Sequence, residues 1–202
     1  MNETNMKKIF FYFFILGVLS LSSCEKVFYT PKPIAYPRIQ FPEKGKFEKY
    51  KDRGCPYSFE YPTYAKIVQQ KNKFTNEVES CWFNVSFEDF NATIYMSYKE
   101  IGLDITLEKV LEDAHKLTYA HSKKADFIDE ALIKNKQGVK GQLSEVGGNV
   151  ATNIQFYLSD LEKHYIRGSL YFQTSPNIDS VQPIVDFIKK DMTHIFETFK
   201  WK

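Results

Sequence analysis

Residues 139–172 decide the predicted fold, and they read VKGQLSEVGGNVATNIQFYLSDLEKHYIRGSLYF. From Val150 to Leu158 the side chains that suit a core recur at every second position, which is the period of a β-strand. Gly147-Gly148 and Ser159-Asp160 are turn signals that separate this strand from its neighbours. The stretch therefore predicts three strands joined by successive hairpins.

The sequence on either side continues the strand pattern and adds two helices. A further strand is predicted at 127–135, and Thr106 is a predicted N-cap before apolar residues that recur at helical spacing over 107–117. A second helix carries an apolar stripe over 181–199, with Pro183 in its first turn. Four earlier strands are predicted at 57–61, 64–68, 78–87 and 92–98.

This order of elements predicts an α+β fold with a mostly antiparallel β-sheet packed by two main helices. The order is similar to that of the PsbP and Mog1 fold. The run Tyr57-Ser58-Phe59-Glu60-Tyr61-Pro62 resembles the aromatic strand that opens PsbP-like domains. This likeness concerns the fold, because one fold serves many functions. We expect a single domain over residues 55–202.

Composition limits the classes of protein to consider. The chain has 202 residues, of which 43% are hydrophobic and 26% are charged, so a globular domain is expected and global disorder is excluded. The formal net charge is +2, which argues against nucleic acid as a partner.

The N-terminal segment is predicted to be a lipoprotein signal peptide, residues 1–23. Lys7 and Lys8 precede an uncharged run over 9–21 that is shorter than the roughly 20 residues of a membrane-spanning helix. The run ends at Leu21-Ser22-Ser23-Cys24, which resembles a bacterial lipobox. That resemblance implies covalent lipid (palmitate and related acyl chains) on Cys24. The alternative is an ordinary signal peptide that happens to contain a cysteine.

Residues 24–54 are predicted to be a lipidated, proline-rich arm whose second half lies along the globular body. Prolines at 31, 33, 37 and 42 favour extended structure and do not suit a central strand. The arm is too aromatic for a simple spacer. Its candidate partner contacts are Phe28, Tyr29, Tyr36 and Phe41, and the alternative is that they pack on their own domain.

Two cysteines remain once Cys24 is assigned to lipid. In an exported protein, Cys55 and Cys81 are candidates for a disulfide, and the alternative is two buried free thiols. No histidine lies at metal-ligand spacing from either cysteine, so no metal site is expected.

No catalytic residues are predicted. The sequence contains no G-x-S-x-G motif and no phosphate-binding loop, and its carboxylate pairs are adjacent residues that do not converge. The four histidines are scattered, and His121 is predicted to be a packed core residue rather than a general base. Asp179-Ser180-Val181 matches an O-glycosylation motif of exported proteins in the phylum Bacteroidetes, which makes Ser180 a candidate. The alternative is that Asp179 or Ser180 caps the last helix.

Four runs of residues together resemble the gliding motility lipoprotein GldD family of Bacteroidetes. The most specific run is Cys55-Pro56-Tyr57-Ser58-Phe59-Glu60-Tyr61-Pro62-Thr63-Tyr64-Ala65. The other three are Tyr29-Thr30-Pro31-Lys32-Pro33, Tyr36-Pro37-Arg38-Ile39 and Phe41-Pro42-Glu43-Lys44. The resemblance covers essentially the whole chain, and only Cys24 carries over as a defined functional position.

The resemblance implies a non-enzymatic envelope protein that is required for gliding and serves the related type IX secretion machinery. Its partners would be the membrane, through the lipid, and other envelope proteins of that machinery. No cofactor is expected. We place the protein in the cell envelope, facing the periplasm and at the outer membrane in preference to the inner one. The alternative function is a periplasmic ligand-binding or assembly-chaperone lipoprotein, which would need a deep apolar pocket between sheet and helices.

Overall fold

The computed structural model of the chain describes residues 38–51, 54–71, 78–174 and 177–202. The chain divides into two units, Met1–Arg38 and Ile39–Lys202, and the second contains every element described below. The predictions for the signal peptide 1–23, and for Cys24, Phe28, Tyr29 and Tyr36, lie outside the described residues.

Ten strands, two longer helices and one 3-10 turn (Glu88–Phe90) make up the described part of the chain. The helices are α1 (Leu107–Tyr119) and α2 (Ile178–Thr198). The strands are β1 (Phe47–Lys51), β2 (Tyr57–Pro62), β3 (Lys66–Lys71), β4 (Val78–Phe87), β5 (Ala92–Glu100), β6 (Ile128–Lys134), β7 (Lys140–Val146), β8 (Thr152–Ser159), β9 (His164–Phe172) and β10 (Lys200–Trp201).

Seven strands form one antiparallel sheet in the order β3-β4-β5-β9-β8-β7-β6. The hairpins from β6 to β9 are those predicted from the alternation and turn residues of 127–172. The hairpin between β4 and β5 turns at Asn91, whose φ of 48° suits an asparagine. The prediction of an α+β fold with antiparallel strands and two main helices is confirmed by these elements.

A second, three-stranded antiparallel sheet has the order β1-β2-β10. The sequence did not predict β1 or β10 as strands, and it placed the end of the arm at residue 54. In the structure the compact unit begins at Ile39, and β1 pairs with β2 so that Tyr50 lies opposite Phe59. The prolines of the arm do not prevent this pairing, because the last of them, Pro42, precedes the start of β1 at Phe47. In addition, β1 lies at a sheet edge.

An aromatic core fills the space between the two sheets. Phe59 of β2 stacks on Phe83 of β4 with 5.4 Å between the ring centroids, and also on Phe199, just after α2. Phe59, Phe83 and Phe199 are all fully buried. Helix α2 adds Ile188, Met192 and other apolar side chains to the same cluster. Burying rings of this size contributes much of the stability of such a domain.

Helix α1 packs on the opposite face of the seven-stranded sheet. Its N-cap is Thr106, as predicted, whose side chain accepts a hydrogen bond from the backbone N–H of Lys109. Val110 and Ala114 face the sheet and are buried, whereas Leu117 stays half exposed. The helix ends at Tyr119, so His121 lies in the following turn and is only half buried; the prediction of a packed core histidine is wrong.

Helix α2 begins earlier than its apolar stripe suggested. Its N-cap is Asn177, so neither Asp179 nor Ser180 caps the helix, and that alternative is wrong. The free N–H of Ile178 donates instead to Oδ1 of Asn149, which comes from the loop before β8. Because of this early start, Pro183 lies in the second turn rather than the first.

Gly141 is a position where any side chain must disturb the sheet. A Cβ atom there would overlap the backbone carbonyl oxygen of Tyr157 on the neighbouring strand β8. We expect Gly141→Ala to lower the free energy of unfolding by about 2–3 kcal/mol, the cost of overpacking against backbone that cannot rotate away. Denaturant unfolding measures it, with Gly102→Ala as the matched control. Gly102 has open space around it, so equal losses in the two variants would contradict the argument.

Candidate functional site

The outer face of the seven-stranded sheet, which α1 partly covers, carries a row of polar side chains. Residues paired across antiparallel strands point to the same face, so the register defines the row. It runs from β4 to β6 through Asn84, Tyr95, Ser169, Gln155, Ser144 and Glu130. Polar side chains usually mark a solvent-facing surface, but Ser169 and Gln155 are each only 2% exposed.

Arg167 is the cation at the centre of this face, which we call the Arg167 face. It lies on β9 two residues before Ser169, and its register partners are Ser97 and Tyr157. Among the described residues, no carboxylate oxygen comes within 4.0 Å of its guanidinium nitrogens. A half-buried, unpaired arginine is unusual, because burying a charge without a partner is costly.

Gln155 orients the arginine. The Nη2 atom of Arg167 donates to Oε1 of Gln155 at 2.5 Å. Since arginine only donates hydrogen bonds, this contact fixes which side of the amide faces it and leaves the Nε2 group pointing away. That Nε2 group, the hydroxyl of Ser169 and the hydroxyl of Tyr165 are buried and have no partner among the described residues. The Arg167 face is therefore rich in unused hydrogen-bond donors.

Arg167 lines three neighbouring cavities. One of about 210 Å³ lies under α1 beside Gln155, and one of about 430 Å³ lies between α1 and Tyr165. The third, of about 600 Å³, is an open cleft beyond the helix beside Ser169. Burial first, and then the positive charge of Arg167, lower the pKa of His121.

A second site lies where the arm meets helix α2, and we call it the Asp191 junction. Asp191 is only 3% exposed, and its carboxylate accepts hydrogen bonds from Lys44 at 3.1 Å and from the Tyr64 hydroxyl. Lys44 also donates to the carbonyl of Phe187 at 2.8 Å and lies over the ring of that residue. Burial and then the Asp191 carboxylate raise the pKa of Tyr64, so this phenol stays protonated.

Phe41, the one predicted partner contact within the described residues, belongs to this junction. Its ring stacks on Phe187 with 4.5 Å between centroids, and 41% of the residue remains exposed. It thus packs on its own domain and keeps a free surface. Whether it contacts a partner stays a prediction, as it does for Phe28, Tyr29 and Tyr36.

The remaining predicted sites lie apart from both features. Cys55 and Cys81 form a disulfide in the structure, with 5.4 Å between their Cα atoms. Ser180 is half buried near the start of α2, so its glycosylation stays a prediction. Within the ranges that the structure describes, no three His, Cys, Asp or Glu side chains cluster as metal ligands would. None of the described helices is long and apolar enough to cross a membrane.

Comparison with known proteins decides the family. The sequence model of the family described as gliding motility lipoprotein GldD matches residues 26–201. The chain belongs to the GldD family of gliding motility lipoproteins. Membership implies a lipid-anchored protein of the cell envelope. The family resemblance of the arm and of the Cys55–Ala65 run is thereby confirmed.

The other two comparisons add little to this assignment. No curated protein matches the chain. Among solved structures, cyanobacterial PsbP (CyanoP) from Synechocystis sp. PCC 6803 is similar, with 16% identity and a TM-score of 0.41. The alignment covers 82% of this GldD-family chain and 98% of that one. The α+β fold of the GldD-family protein rests on its own strands and helices.

Sequence analysis missed both the Arg167 face and the Asp191 junction. A signal for the first does exist: polar side chains alternate at Gln142 and Ser144, and again at Arg167 and Ser169, on the two strands predicted to flank the strand that starts at Val150. Such a pattern is usually read as a solvated face, and it becomes a site only because α1 and the strand register bury it. The junction has no local signal, since Lys44 and Asp191 are far apart in the chain.

Proposed function

We propose that this GldD-family lipoprotein is a non-enzymatic, accessory component of the gliding and type IX secretion machinery and acts by binding other envelope proteins. The observation that carries the proposal is the family match over residues 26–201. Lipid on Cys24 would hold the protein in the cell envelope, facing the periplasm from the outer membrane. Confinement to one plane makes encounters with membrane-bound partners more frequent, as any tether raises the effective concentration of a partner.

The interior of the domain supports binding through the surface rather than enclosure of an apolar ligand. The alternative function, a ligand-binding or assembly-chaperone lipoprotein of PsbP-like type, predicted a deep apolar pocket between sheet and helices. In the described residues the space on the α2 side of the sheet is filled by Tyr57, Phe59, Phe83 and the apolar face of α2. The cavities on the α1 side are lined in part by charged side chains, among them Glu130, Asp113 and Arg167. That alternative is therefore not favoured.

A clean deletion in the native host tests the role in secretion, with mass spectrometry of the secreted proteins as the measurement. We expect type IX cargo to accumulate inside the cells and to vanish outside them, with loss of gliding as a consequence. Intact secretion in cells that no longer move would place the protein downstream, in force transmission. Normal secretion and normal gliding would contradict the proposal.

Complementation with Cys24→Ser tests the anchor. A single acyl chain binds membranes only marginally whereas two or three hold a protein stably, so loss of the lipidated cysteine should release the protein from the membrane fraction. We expect the variant to move to the soluble fraction and to fail to restore gliding, while Ser22→Ala serves as a control next to the same cleavage site. Membrane retention of Cys24→Ser after removal of residues 1–23 would contradict lipidation at this residue.

A further inference from the structure

The open cleft of about 600 Å³ beside Arg167 has the features of a built binding site. It lies on the outer face of the seven-stranded sheet, beyond the part that α1 covers. Its walls are Arg167, Ser169, Trp82, Tyr95, Tyr171 and Gln70. Binding pockets for small molecules typically combine aromatic walls with a few fixed polar groups, and a volume in the hundreds of cubic ångströms suits them.

Two polar groups of the cleft, Arg167 and Ser169, favour a ligand that accepts hydrogen bonds, whereas the buried Oε1 atom of Gln70 has no partner among the described residues and would take a donor. Arg167 supplies the positive charge, and its contact with Gln155 holds the guanidinium in place while other N–H groups remain unused. The hydroxyl of Ser169 is buried, faces the cleft and has no partner among the described residues. An unpaired buried hydroxyl is costly, and a ligand oxygen would satisfy it.

The charges of the described residues that line the cleft favour an anionic ligand. None of the described residues that line it is acidic, whereas the two neighbouring cavities contain Glu130 and Asp113 respectively. The guanidinium also has no carboxylate within 4.0 Å among the described residues. A planar guanidinium pairs well with the two oxygens of a carboxylate, so an organic acid suits Arg167.

The aromatic walls favour a ligand with a flat or ring-shaped body. Tyr95 and Tyr171 meet edge to face with 5.7 Å between centroids, which leaves ring surface facing the cleft. Trp82 is held by a hydrogen bond from its Nε1 to the carbonyl of Tyr98 at 2.6 Å. Rings fixed in this way bind at low entropic cost, because few side-chain torsions have to be ordered.

We propose that this cleft binds a small organic acid, with its carboxylate on Arg167 and Ser169 and its ring against Trp82, Tyr95 and Tyr171. The acid is either an aromatic carboxylate or an acidic sugar, since both place a carboxylate on a ring. This inference goes beyond the proposed function and does not depend on it, because binding can be measured on the purified protein alone.

The test uses the full mature chain in detergent micelles and measures binding by calorimetry and by the amide NMR signals of β9. The probes are benzoate and glucuronate, each with its neutral counterpart, benzamide and glucose. We expect one of the two acids to bind with saturation and its neutral counterpart to bind at least about tenfold more weakly, the loss typical of a charged hydrogen bond. The acid that binds shows whether the ligand is an aromatic carboxylate or an acidic sugar. Failure of both acids, or equal binding of an acid and its neutral counterpart, would overturn the proposal.

Variants locate the site. Arg167→Gln should weaken binding of the acid about tenfold or more, and Ser169→Ala should weaken it severalfold. Lys136→Gln removes a positive charge at an exposed position that does not line the cleft and should leave binding unchanged. If Arg167→Gln does not fold, Ser169→Ala and Arg167→Lys decide the matter, because lysine keeps the charge and loses the planar fork. Unchanged affinity in the folded variants would refute the assignment.

Discussion

Replacing both Cys55 and Cys81 with serine is expected to lower the free energy of unfolding by roughly 3–4 kcal/mol. The two cysteines are 26 residues apart in sequence, and the disulfide removes the entropy of that loop from the unfolded chain. Its position adds to the effect. Cys55 directly precedes β2 in the small sheet and Cys81 lies within β4 in the large sheet, so the bond joins the two sheets beside the aromatic core.

The backbone at Cys81 is held in an uncommon conformation. Its φ of 63° lies in the left-handed region, which a residue with a side chain adopts only when its surroundings impose it. Two contacts do so here: the disulfide to Cys55, and the hydrogen bond that the Tyr57 hydroxyl donates to the Cys81 carbonyl at 2.6 Å. Without the disulfide, one of these constraints is lost, and relaxation of Cys81 offsets a part of the lost stability.

Denaturant unfolding with and without reductant measures this effect. Reductant should shift the wild-type midpoint to lower denaturant concentration and leave the Cys55→Ser/Cys81→Ser double variant unchanged, which separates the disulfide from Cys24. A third sample, Cys24→Ser, should respond to reductant as the wild type does. If reductant does not move the wild-type midpoint, then the bond does not stabilise the domain.

The sequence predicted the parts of this fold that depend on local pattern. The strands from β6 to β9 were predicted within one or two residues, because alternation and turn residues at Gly147-Gly148 and Ser159-Asp160 act over short distances. β10 was missed because its two residues directly follow a strong helical stripe. β1 was missed because FEKYK carries only a weak alternation, and it becomes a strand by pairing with β2.

The Arg167 face depends on the strand order, which is why sequence alone did not reveal it. Ser169 and Gln155 come from strands that are consecutive in the chain, and a prediction could have paired them. Tyr95 joins the same row only because β9 pairs with β5, a connection that crosses α1 and three strands. The burial of these residues depends in turn on where α1 packs, and nothing in the strand pattern determines that.

Replacing Asp191 with alanine is expected to lower the free energy of unfolding by about 2–3 kcal/mol. The change leaves the Tyr64 hydroxyl and the Lys44 ammonium without their acceptor, and removing one partner of a buried ion pair typically costs about 3–5 kcal/mol. We expect less than that, because the Lys44 side chain is 33% exposed and water can solvate it. Asp191→Asn, which keeps an acceptor oxygen, should lose less than Asp191→Ala.

Asp186 provides the matched control on the same helix. It is exposed, and among the described residues its one hydrogen-bond partner is Gln182, one turn away, so Asp186→Ala should change stability by no more than about 0.5 kcal/mol. Thermal and denaturant unfolding of the three variants measure the difference. Equal stability of Asp191→Ala and Asp186→Ala would show that the junction contributes nothing to the fold.

Asp191→Ala should also release the segment that leads into β1, and this effect can be larger than the global one. Residues 39–46 contact helix α2 through Phe41 and Lys44, and both contacts centre on Phe187 and Asp191.

Limited digestion with trypsin reports on the release, since cleavage after Lys44 requires the lysine to leave the junction. Faster cleavage at Lys44, with little change at sites inside the sheets, indicates local detachment; equal acceleration at all sites indicates global unfolding instead. Detachment would free residues 39–46, which span roughly 25 Å at full extension. Gliding assays of Asp191→Ala would show whether this attachment matters for the proposed function.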